Sequence, residues 1–159
     1  MMRSKRAQIR TVEPDKKYDS VVVARLVNYT MRDGKRSVAQ KQVYQALETA
    51  SKESKLKPVE LIEAVIESIS PQMEVRSRRV GGAAYQVPMP VRPRRAVALS
   101  LRWLVLEANK RPNKQYHTFA EKLSAEMMDA LNNEGGSVAR KYAAHRMADA
   151  NKAFAHFRW

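Results

Sequence analysis

The spacing of apolar residues along this chain predicts a protein that is mostly helical. After residue 20, Val22, Leu26 and Tyr29 recur at the i, i+4, i+7 spacing of a helix, which Asp33-Gly34 is expected to end. Residues 1–17 have no period and little apolar content, so we expect an extended arm before this helix.

Two further helices are predicted before the pattern changes. Ser37 with Gln40 has the spacing of a capping box that would open the second helix, and Pro58 suits the first turn of the third. The apolar residues of the third helix share one face and are expected to be buried: Leu61, Ile62, Val65, Ile66 and Ile69.

Residues 73–92 alternate like β-strands on either side of Gly81-Gly82. Two consecutive glycines can adopt the positive φ angles that a tight hairpin turn requires. Pro88, Pro90 and Pro93 crowd the end of the second strand, which is typical of an exposed ribbon rather than a central strand. The sequence therefore predicts one β-hairpin inserted among the helices.

Two more helices follow the hairpin. Residues 94–109 are apolar on almost every side, so we expect this helix at the centre of the protein. Thr118 with Glu121 forms a second capping box that would open the next helix, and Gly135-Gly136 is expected to end it.

The sixth and last helix is predicted from about residue 137 to residue 152. Its small and apolar residues are expected on the buried face: Ala139, Ala143, Met147, Ala150 and Phe154. Lys141, His145 and Lys152 would lie on the opposite face, where solvation and nucleic-acid contact are equally good interpretations. The aromatic tail, Phe154, Phe157 and Trp159, would either stack on bases or dock on the core.

The charge changes this picture from that of an ordinary helical domain. The 159 residues contain 30 Lys and Arg against 16 Asp and Glu, and the net charge of +14 indicates a polyanionic partner. The excess is clustered in three segments, residues 1–17, 71–95 and 138–159, whereas residues 43–70 are net acidic. Clusters of this kind are typical of a nucleic-acid footprint.

The same sequence argues against catalysis. It contains no cysteine, which excludes thiol nucleophiles and thiolate zinc sites, and its three histidines lack metal-ligand spacing. The apolar runs are too short to span a bilayer, and no apolar signal segment follows the basic first ten residues. We therefore expect an intracellular protein that is not an enzyme and has no metal, no cofactor and no membrane contact.

The hairpin is basic through arginine alone. One interpretation is a solvated edge strand that charge protects from pairing with other chains. Lysine is the usual guard of such an edge, however, whereas the planar fork of arginine pairs with phosphate and stacks on bases. Contact with nucleic acid is therefore the better interpretation.

Three stretches of the chain resemble one family. Residues 78–88, RRVGGAAYQVP, followed by Val91-Arg92-Pro93, are similar to the hairpin signature of small-subunit ribosomal protein seven of bacteria and organelles. Residues 145–159, HRMADANKAFAHFRW, match a second motif of that family, and residues 27–37 fit its first helix and turn. The resemblance covers nearly the whole chain.

This resemblance implies a single, mainly helical domain with a protruding hairpin, in agreement with the apolar pattern. It implies a structural protein of cytoplasmic or organellar ribosomes that binds 16S-type ribosomal RNA and nucleates assembly of the small-subunit head. The hairpin would lie near exit-site tRNA and messenger RNA, with ribosomal proteins nine and eleven as neighbours. Pro90 stands where the family usually has an acidic residue, so the end of the second strand is expected to be bent or unpaired.

The candidate binding residues are mostly basic and fall in two groups. Those expected to contact ribosomal RNA lie in the arm, near the first turn, at the hairpin base and in the last three helices with their connecting loop: Arg3, Lys5, Arg6, Arg10, Arg25, Arg32, Lys35, Arg36, Arg92, Arg94, Arg95, Arg102, Arg111, Lys114, Arg140, Lys141, His145 and Lys152. Those expected to face tRNA or messenger RNA lie on the hairpin: Arg76, Arg78, Arg79, Gly81, Gly82 and Tyr85.

Bulk properties alone leave a second interpretation open, a helical architectural protein that inserts its ribbon into a groove of DNA. A preference for a folded ribosomal RNA fragment over duplex DNA of equal charge would separate the two. A third class, an RNA-modifying enzyme, would need a cofactor pocket, for which the sequence shows no residues.

Overall fold

The computed structural model describes residues 11–157 and arranges them as six α-helices, one hairpin and a short terminal helix. The elements in chain order are α1 (Val21–Thr30), α2 (Arg36–Ser54), α3 (Pro58–Ile69), β1 (Met73–Val80), β2 (Ala83–Pro90), α4 (Pro93–Lys110), α5 (Phe119–Leu131), α6 (Gly135–Ala150) and a C-terminal 3-10 helix (Lys152–Phe157). The prediction of a mainly helical protein with one hairpin is confirmed. Arg3, Lys5, Arg6, Arg10 and Trp159 lie outside the described residues.

Helices α4 and α5 form the centre of the fold. Helix α4 packs against α1, α3, α5 and α6, and α5 packs against α2, α3, α4 and α6. Leu101 and Leu104 of α4 and Leu123 and Met127 of α5 are completely buried between them. The central position predicted for α4 is confirmed, although Leu106 on its outer side remains 42% exposed.

Helix α3 follows its prediction closely. Pro58 occupies its first turn, where the missing amide hydrogen has no cost, and Ser70 follows its last residue. All five residues of the predicted apolar stripe are buried.

The ends of α1 and α2 differ from their predictions. Helix α1 stops at Thr30, because Met31 already has an extended backbone, so Asp33-Gly34 forms part of the following turn. Helix α2 begins at Arg36 without a side-chain cap. Ser37 therefore lies inside the helix and cannot form a capping box with Gln40, which requires the serine just before the first helical residue.

The buried face of α1 is also rotated from the expected one. Val23, Leu26 and Val27 are completely buried, whereas Tyr29 is 36% exposed and Val22 is only partly covered. The run of valines at the start of the helix offers two apolar faces, and the periodicity alone does not choose between them.

The two glycines after α5 begin the next helix instead of ending the previous one. Helix α5 stops at Leu131, and Asn133 supplies the left-handed residue of the turn at φ 59°. Gly136 then approaches α4 so closely that a Cβ built on it would lie 2.8 Å from Oε2 and 3.1 Å from Cβ of Glu107. Glycine fits position 136 because the backbone there lies close to Glu107 of α4, and not because a helix ends there.

Helix α6 turns a different face inward from the one predicted. Ser137, Val138 and Ala148 are buried, while the residues expected inside are exposed: Ala139, Ala143, Met147 and Ala150. Lys141 and His145, expected outside, are half-buried and bind backbone groups at the end of α3 and just before β1. Val138 packs in the hydrophobic core, and Lys141 and His145 follow it at helical spacing on the same side of α6, whereas the alanines have only a weak apolar preference.

The hairpin has the predicted register and turn. Met73 to Val80 pair with Pro90 to Ala83 in antiparallel order, and Gly81 and Gly82 have φ angles of 58° and 90°. The expectation that Pro90 is unpaired is wrong, because Pro90 pairs with Met73 and the amide of Val91 donates to the Gln72 carbonyl at 2.9 Å. Proline is tolerated at this position because the outer edge of a two-stranded ribbon requires no amide donor.

No helix in residues 11–157 has the length and apolarity needed to cross a membrane. Across the same residues, no group of three or more His, Asp or Glu side chains is arranged to hold a metal ion.

Candidate nucleic-acid interface

Two arginines from two packed helices line one groove, and a third lies near a tyrosine of the same groove. Arg25 of α1 and Arg94 of α4 line this groove together with Tyr29 and Ala98. The guanidinium carbon of Arg102, two turns further along α4, lies 6.0 Å from the centre of the Tyr29 ring. Within residues 11–157 no carboxylate lies within 4 Å of these three guanidinium groups. Their charge is therefore available to an anionic partner.

A second groove continues the first along the end of the arm. It is lined by residues 11–14 and by Lys16, Asn28, Arg36 and Gln40, and it shares Val12 and Asn28 with the groove above. Glu13 is the acidic residue of this second groove. We call the surface formed by Lys16, Arg25, Arg36, Arg94 and Arg102 the α1–α4 face.

The arm is fixed to α2 just before α1 begins. The carboxylate of Asp15, which is 3% exposed, accepts a hydrogen bond from the Tyr44 hydroxyl at 2.7 Å and from the Lys17 amide at 3.1 Å. Burial of the Tyr44 hydroxyl, helped by this bond to Asp15, raises the pKa of Tyr44. Lys17 adds an ion pair with Glu48. The only signal in the sequence for this contact was a local one, since Asp often bonds the amide two residues on.

The turn between α1 and α2 carries two exposed cations. Arg32 and Lys35 flank Asp33 and Gly34, both of which have positive φ angles. Neither cation has a carboxylate within 4 Å among residues 11–157. Both line a cleft that lies between this turn and the start of α5.

The arginines of the hairpin differ in their surroundings. Near the base, Glu74 pairs with Arg76 and, at 3.2 Å, with Arg95, so one carboxylate offsets part of the charge of two candidates. Toward the turn, Arg78 and Arg79 have no carboxylate within 4 Å in the described part of the chain. The uncompensated charge of the hairpin is therefore concentrated near its exposed tip.

The aromatic tail packs on the hairpin. The Tyr85 ring lies 5.3 Å from the Phe154 ring and 5.2 Å from the Phe157 ring. The structure places these phenylalanines on β2 rather than on the helical core, and stacking on bases stays a prediction. Tyr85 is consequently half-buried, and its contact with RNA stays a prediction.

Arg111 is used inside the protein. Its guanidinium group binds Glu126 at 2.7 and 2.9 Å and also binds Asp129, and its side chain is only 15% exposed. Burial disfavours the charged guanidinium, but the two carboxylates outweigh burial and raise the pKa of Arg111. The structure gives this candidate a partner within the fold.

Three candidates near α6 also have partners within the protein. Arg140 pairs with Glu107, the Lys141 ammonium donates to the Ser68 carbonyl at 2.8 Å, and the ring of His145 accepts the Gln72 amide at 3.0 Å. The remaining candidates in this half of the chain, Arg92, Lys114 and Lys152, are exposed.

Glu126 is the residue that sequence reasoning missed most completely. It is 2% exposed and accepts the amide and hydroxyl of Ser137, at 2.9 and 2.6 Å, in addition to Arg111. It thereby joins α5 to the start of α6. Nothing in its spacing distinguishes it from the solvated acids of an amphipathic helix.

Comparisons with known proteins all point to one family. Residues 2–152 match the family model for ribosomal protein S7p/S5e. The chain is 52% identical over 151 residues to small ribosomal subunit protein uS7B of Aquifex aeolicus, with 94% of each chain covered. It is 50% identical over 159 residues to small ribosomal subunit protein uS7 of Dichelobacter nodosus, with 100% of each covered. The family is structural and non-enzymatic, which confirms that expectation. The resemblance seen in the hairpin and tail motifs is thus confirmed, and the chain belongs to the ribosomal protein S7p/S5e family in its bacterial form.

Proposed function

We propose that this chain is a structural protein of the small ribosomal subunit that binds 16S-type ribosomal RNA directly and nucleates assembly of the subunit head. The observation that carries the proposal is the α1–α4 face. There, cations from the arm, α1, α2 and α4 stand together without carboxylate partners among residues 11–157.

The geometry of that face suits RNA backbone better than base edges. Arg94 and Arg102 lie about 12 Å apart along α4, given the rise of an α-helix, so they would contact different phosphates. A-form RNA presents shape, phosphate and 2′-hydroxyl groups more readily than its base edges. A rigid set of guanidinium groups recognises such a surface with little loss of side-chain freedom.

The hairpin is proposed to reach exit-site tRNA and messenger RNA. Its turn is exposed and Arg78 and Arg79 near it have no carboxylate within 4 Å in the described chain, while α6 contacts the base of the hairpin and the tail covers Tyr85. Such a ribbon can contact a second RNA while the helices hold the first. Ribosomal proteins nine and eleven are proposed as neighbours; Tyr142 and Met147, 52% and 55% exposed on α6, offer them apolar surface.

The test replaces Arg25, Arg94 and Arg102 with glutamine and measures binding to an rRNA head fragment between about 50 and about 200 mM salt. If about eight phosphates are contacted, the wild-type log–log slope should be about −6 to −7, and the variant's slope should be smaller by about two to three. The matched control replaces Lys52, Lys55 and Lys57, three exposed cations near the far end of α2.

The control should bind like the wild type, and all three proteins should share one circular dichroism spectrum. An equal loss in both variants would mean that only total charge matters, which would overturn the assignment of the α1–α4 face. Equal affinity of the wild type for duplex DNA of the same charge would instead support the architectural DNA-binding interpretation.

A further inference from the structure

A cleft of about 250 Å³ lies between the α1–α2 turn and the start of α5. Thr30 lines one side, Asn109 and Phe119 line the other, and α2 contributes Val38 and Gln42. Pockets that hold drug-sized ligands measure about 300–1,000 Å³, so this cleft has room for a single planar ring system but not for a whole nucleotide.

The walls of the cleft can hold a planar ring by stacking. Phe119 packs its ring against the core and is half-buried, while Val38 stands 57% exposed on α2. Unstacked bases of single-stranded RNA are commonly held against aromatic side chains in this way.

The cleft also contains polar atoms whose hydrogen-bonding capacity is unused. The Thr30 hydroxyl oxygen is buried and has no hydrogen-bond partner within residues 11–157. Asn109 and Gln42 are fixed in place, since the Asn109 amide donates to the Val105 carbonyl and the Gln42 oxygen accepts the Ala120 amide. This leaves the Asn109 oxygen as an acceptor and the Gln42 amide as a donor, the complement of a base edge.

The surroundings of the cleft favour an anion. Arg32 and Lys35 line it beside the acidic Asp33, which gives a net positive charge. Helix α2 starts at Arg36 without a side-chain cap, and although the Arg36 amide donates to the Gly34 carbonyl at 2.8 Å, the positive end of the helix dipole lies beside Lys35. The cleft therefore combines a ring-sized space with a site for phosphate.

We propose that this cleft binds one unstacked nucleobase of single-stranded ribosomal RNA, with the attached phosphate near the start of α2. The proposal rests on the proposed function. It adds a contact with a base of the RNA to the contacts with the RNA backbone. The α1–α4 face positions the RNA, and the cleft selects a site where a base is free to leave its stack.

The test fills the cleft without changing charge. Val38→Trp places an indole in the space, and Thr49→Trp, at an exposed position of the same helix, is the matched control. Phe119→Leu keeps apolar volume but removes the ring, and it provides an independent variant should the tryptophan perturb the fold. The full-length chain is titrated with the rRNA head fragment, and unpaired bases are probed with dimethyl sulfate.

Val38→Trp and Phe119→Leu should each weaken binding by about fivefold to a hundredfold, the usual loss for one stacked base. The salt slope should stay at the wild-type value, whereas Arg32→Gln should reduce it by about one. One unpaired base that the wild type protects should become reactive with both cleft variants, and Thr49→Trp should behave like the wild type.

The outcomes separate this proposal from the proposed function. If the wild type shows no preference for the rRNA fragment, both proposals fail. If the wild type binds well and the cleft variants bind equally well with the same protected bases, the cleft proposal alone is overturned. It is also overturned if Val38→Trp binds the fragment normally but is excluded from small subunits, because a protein side chain would then occupy the cleft.

Discussion

The ring of Tyr85, in the second strand of the hairpin, lies 5.2 Å from the ring of Phe157 in the C-terminal 3-10 helix. Phe154 lies 5.3 Å from the same tyrosine, so two rings of the tail cover one residue of β2. A two-stranded hairpin is marginally stable alone in water, so these contacts contribute to the order of the ribbon. The tail is therefore a structural support of the hairpin.

Tyr85→Ala should loosen the hairpin while leaving the helical core intact. Amide hydrogens of β1 and β2 should exchange faster with solvent, and those of α4 and α5 should exchange at the wild-type rate. Hydrogen exchange followed by mass spectrometry measures both. The control is Tyr142→Ala, which removes an exposed tyrosine from α6; unchanged exchange in the Tyr85→Ala hairpin would show that the tail gives no support.

Replacing Arg78 and Arg79 with glutamine should separate tRNA retention from folding. Both side chains lie near the tip of the hairpin, where Arg78 pairs with Tyr85 and Arg79 pairs with Ala84, far from the helical core. Subunit assembly should stay normal, while dissociation of exit-site tRNA should become faster, as filter binding would show. Replacing Lys52 and Lys55 is the charge-matched control. Failure of the double arginine variant to enter subunits would contradict a role confined to tRNA and messenger RNA.

Arg111→Gln should destabilise the fold by about 3 kcal/mol, because it leaves the buried carboxylate of Glu126 without its cation. Urea denaturation measures this loss, and Arg92→Gln, at an exposed position, should change stability by less than about 0.5 kcal/mol. If the Arg111→Gln variant keeps wild-type stability but loses RNA affinity, the result would instead support direct contact between Arg111 and RNA.

Gly136→Ala should cost about 1–3 kcal/mol, the usual range for overpacking. The added methyl would lie within 3.1 Å of the Oε2, Cγ and Cβ atoms of Glu107. Glu107→Ala removes the two nearest of these atoms, so Gly136→Ala should cost less in that background. Equal costs in the two backgrounds, measured by urea denaturation, would rule out this contact as the cause.

The Arg140–Glu107 ion pair should make stability depend on pH in the acid range. Burial of the Glu107 carboxyl disfavours ionisation, but hydrogen bonds from Lys110 and Arg140 outweigh it and lower its pKa below the ordinary 4.5. A lowered pKa contributes stability that is fully present above pH 4.5 and is lost as the pH falls through the folded-state pKa.

Arg140→Gln should therefore reduce the free energy of unfolding near pH 6 and have progressively less effect below pH 4.5. Urea denaturation at a series of pH values tests this. Lys57→Gln, which breaks an exposed pair with Glu60, is the control and should change little at any pH. A difference between the wild type and Arg140→Gln that persists unchanged into acid would exclude ionisation of Glu107 as its source.

The features that the sequence predicted well depend on neighbouring residues. Gly81-Gly82 encodes its own positive φ angles, and the Thr118–Glu121 capping box is present as expected because both partners belong to one turn. The apolar stripe of α3 is unambiguous, since its other face is polar.

The features that could not be predicted depend on contacts between distant segments. The inward side of α6 carries Val138 in the core and Lys141 and His145 bound to the Ser68 carbonyl and the Gln72 amide, partners that the sequence of the helix does not contain. Arg111 and Glu126 are fifteen residues apart and belong to different elements, so no periodicity joins them. For the same reason, the sequence does not distinguish Arg111, which is paired with Glu126 and Asp129, from the α1–α4 arginines, which have no carboxylate within 4 Å among residues 11–157.

The two prolines of β2 have a consequence for the free chain. Pro88 and Pro90 pair with Val75 and Met73, yet neither has an amide hydrogen to offer to a third strand. A newly synthesised copy that has not yet met its RNA therefore cannot extend its ribbon at these positions by pairing with the backbone of another copy. Backbone pairing between copies is therefore disfavoured at these positions, although the ribbon keeps all of its arginines. The ribbon stays accessible to partners that contact its side chains rather than its backbone.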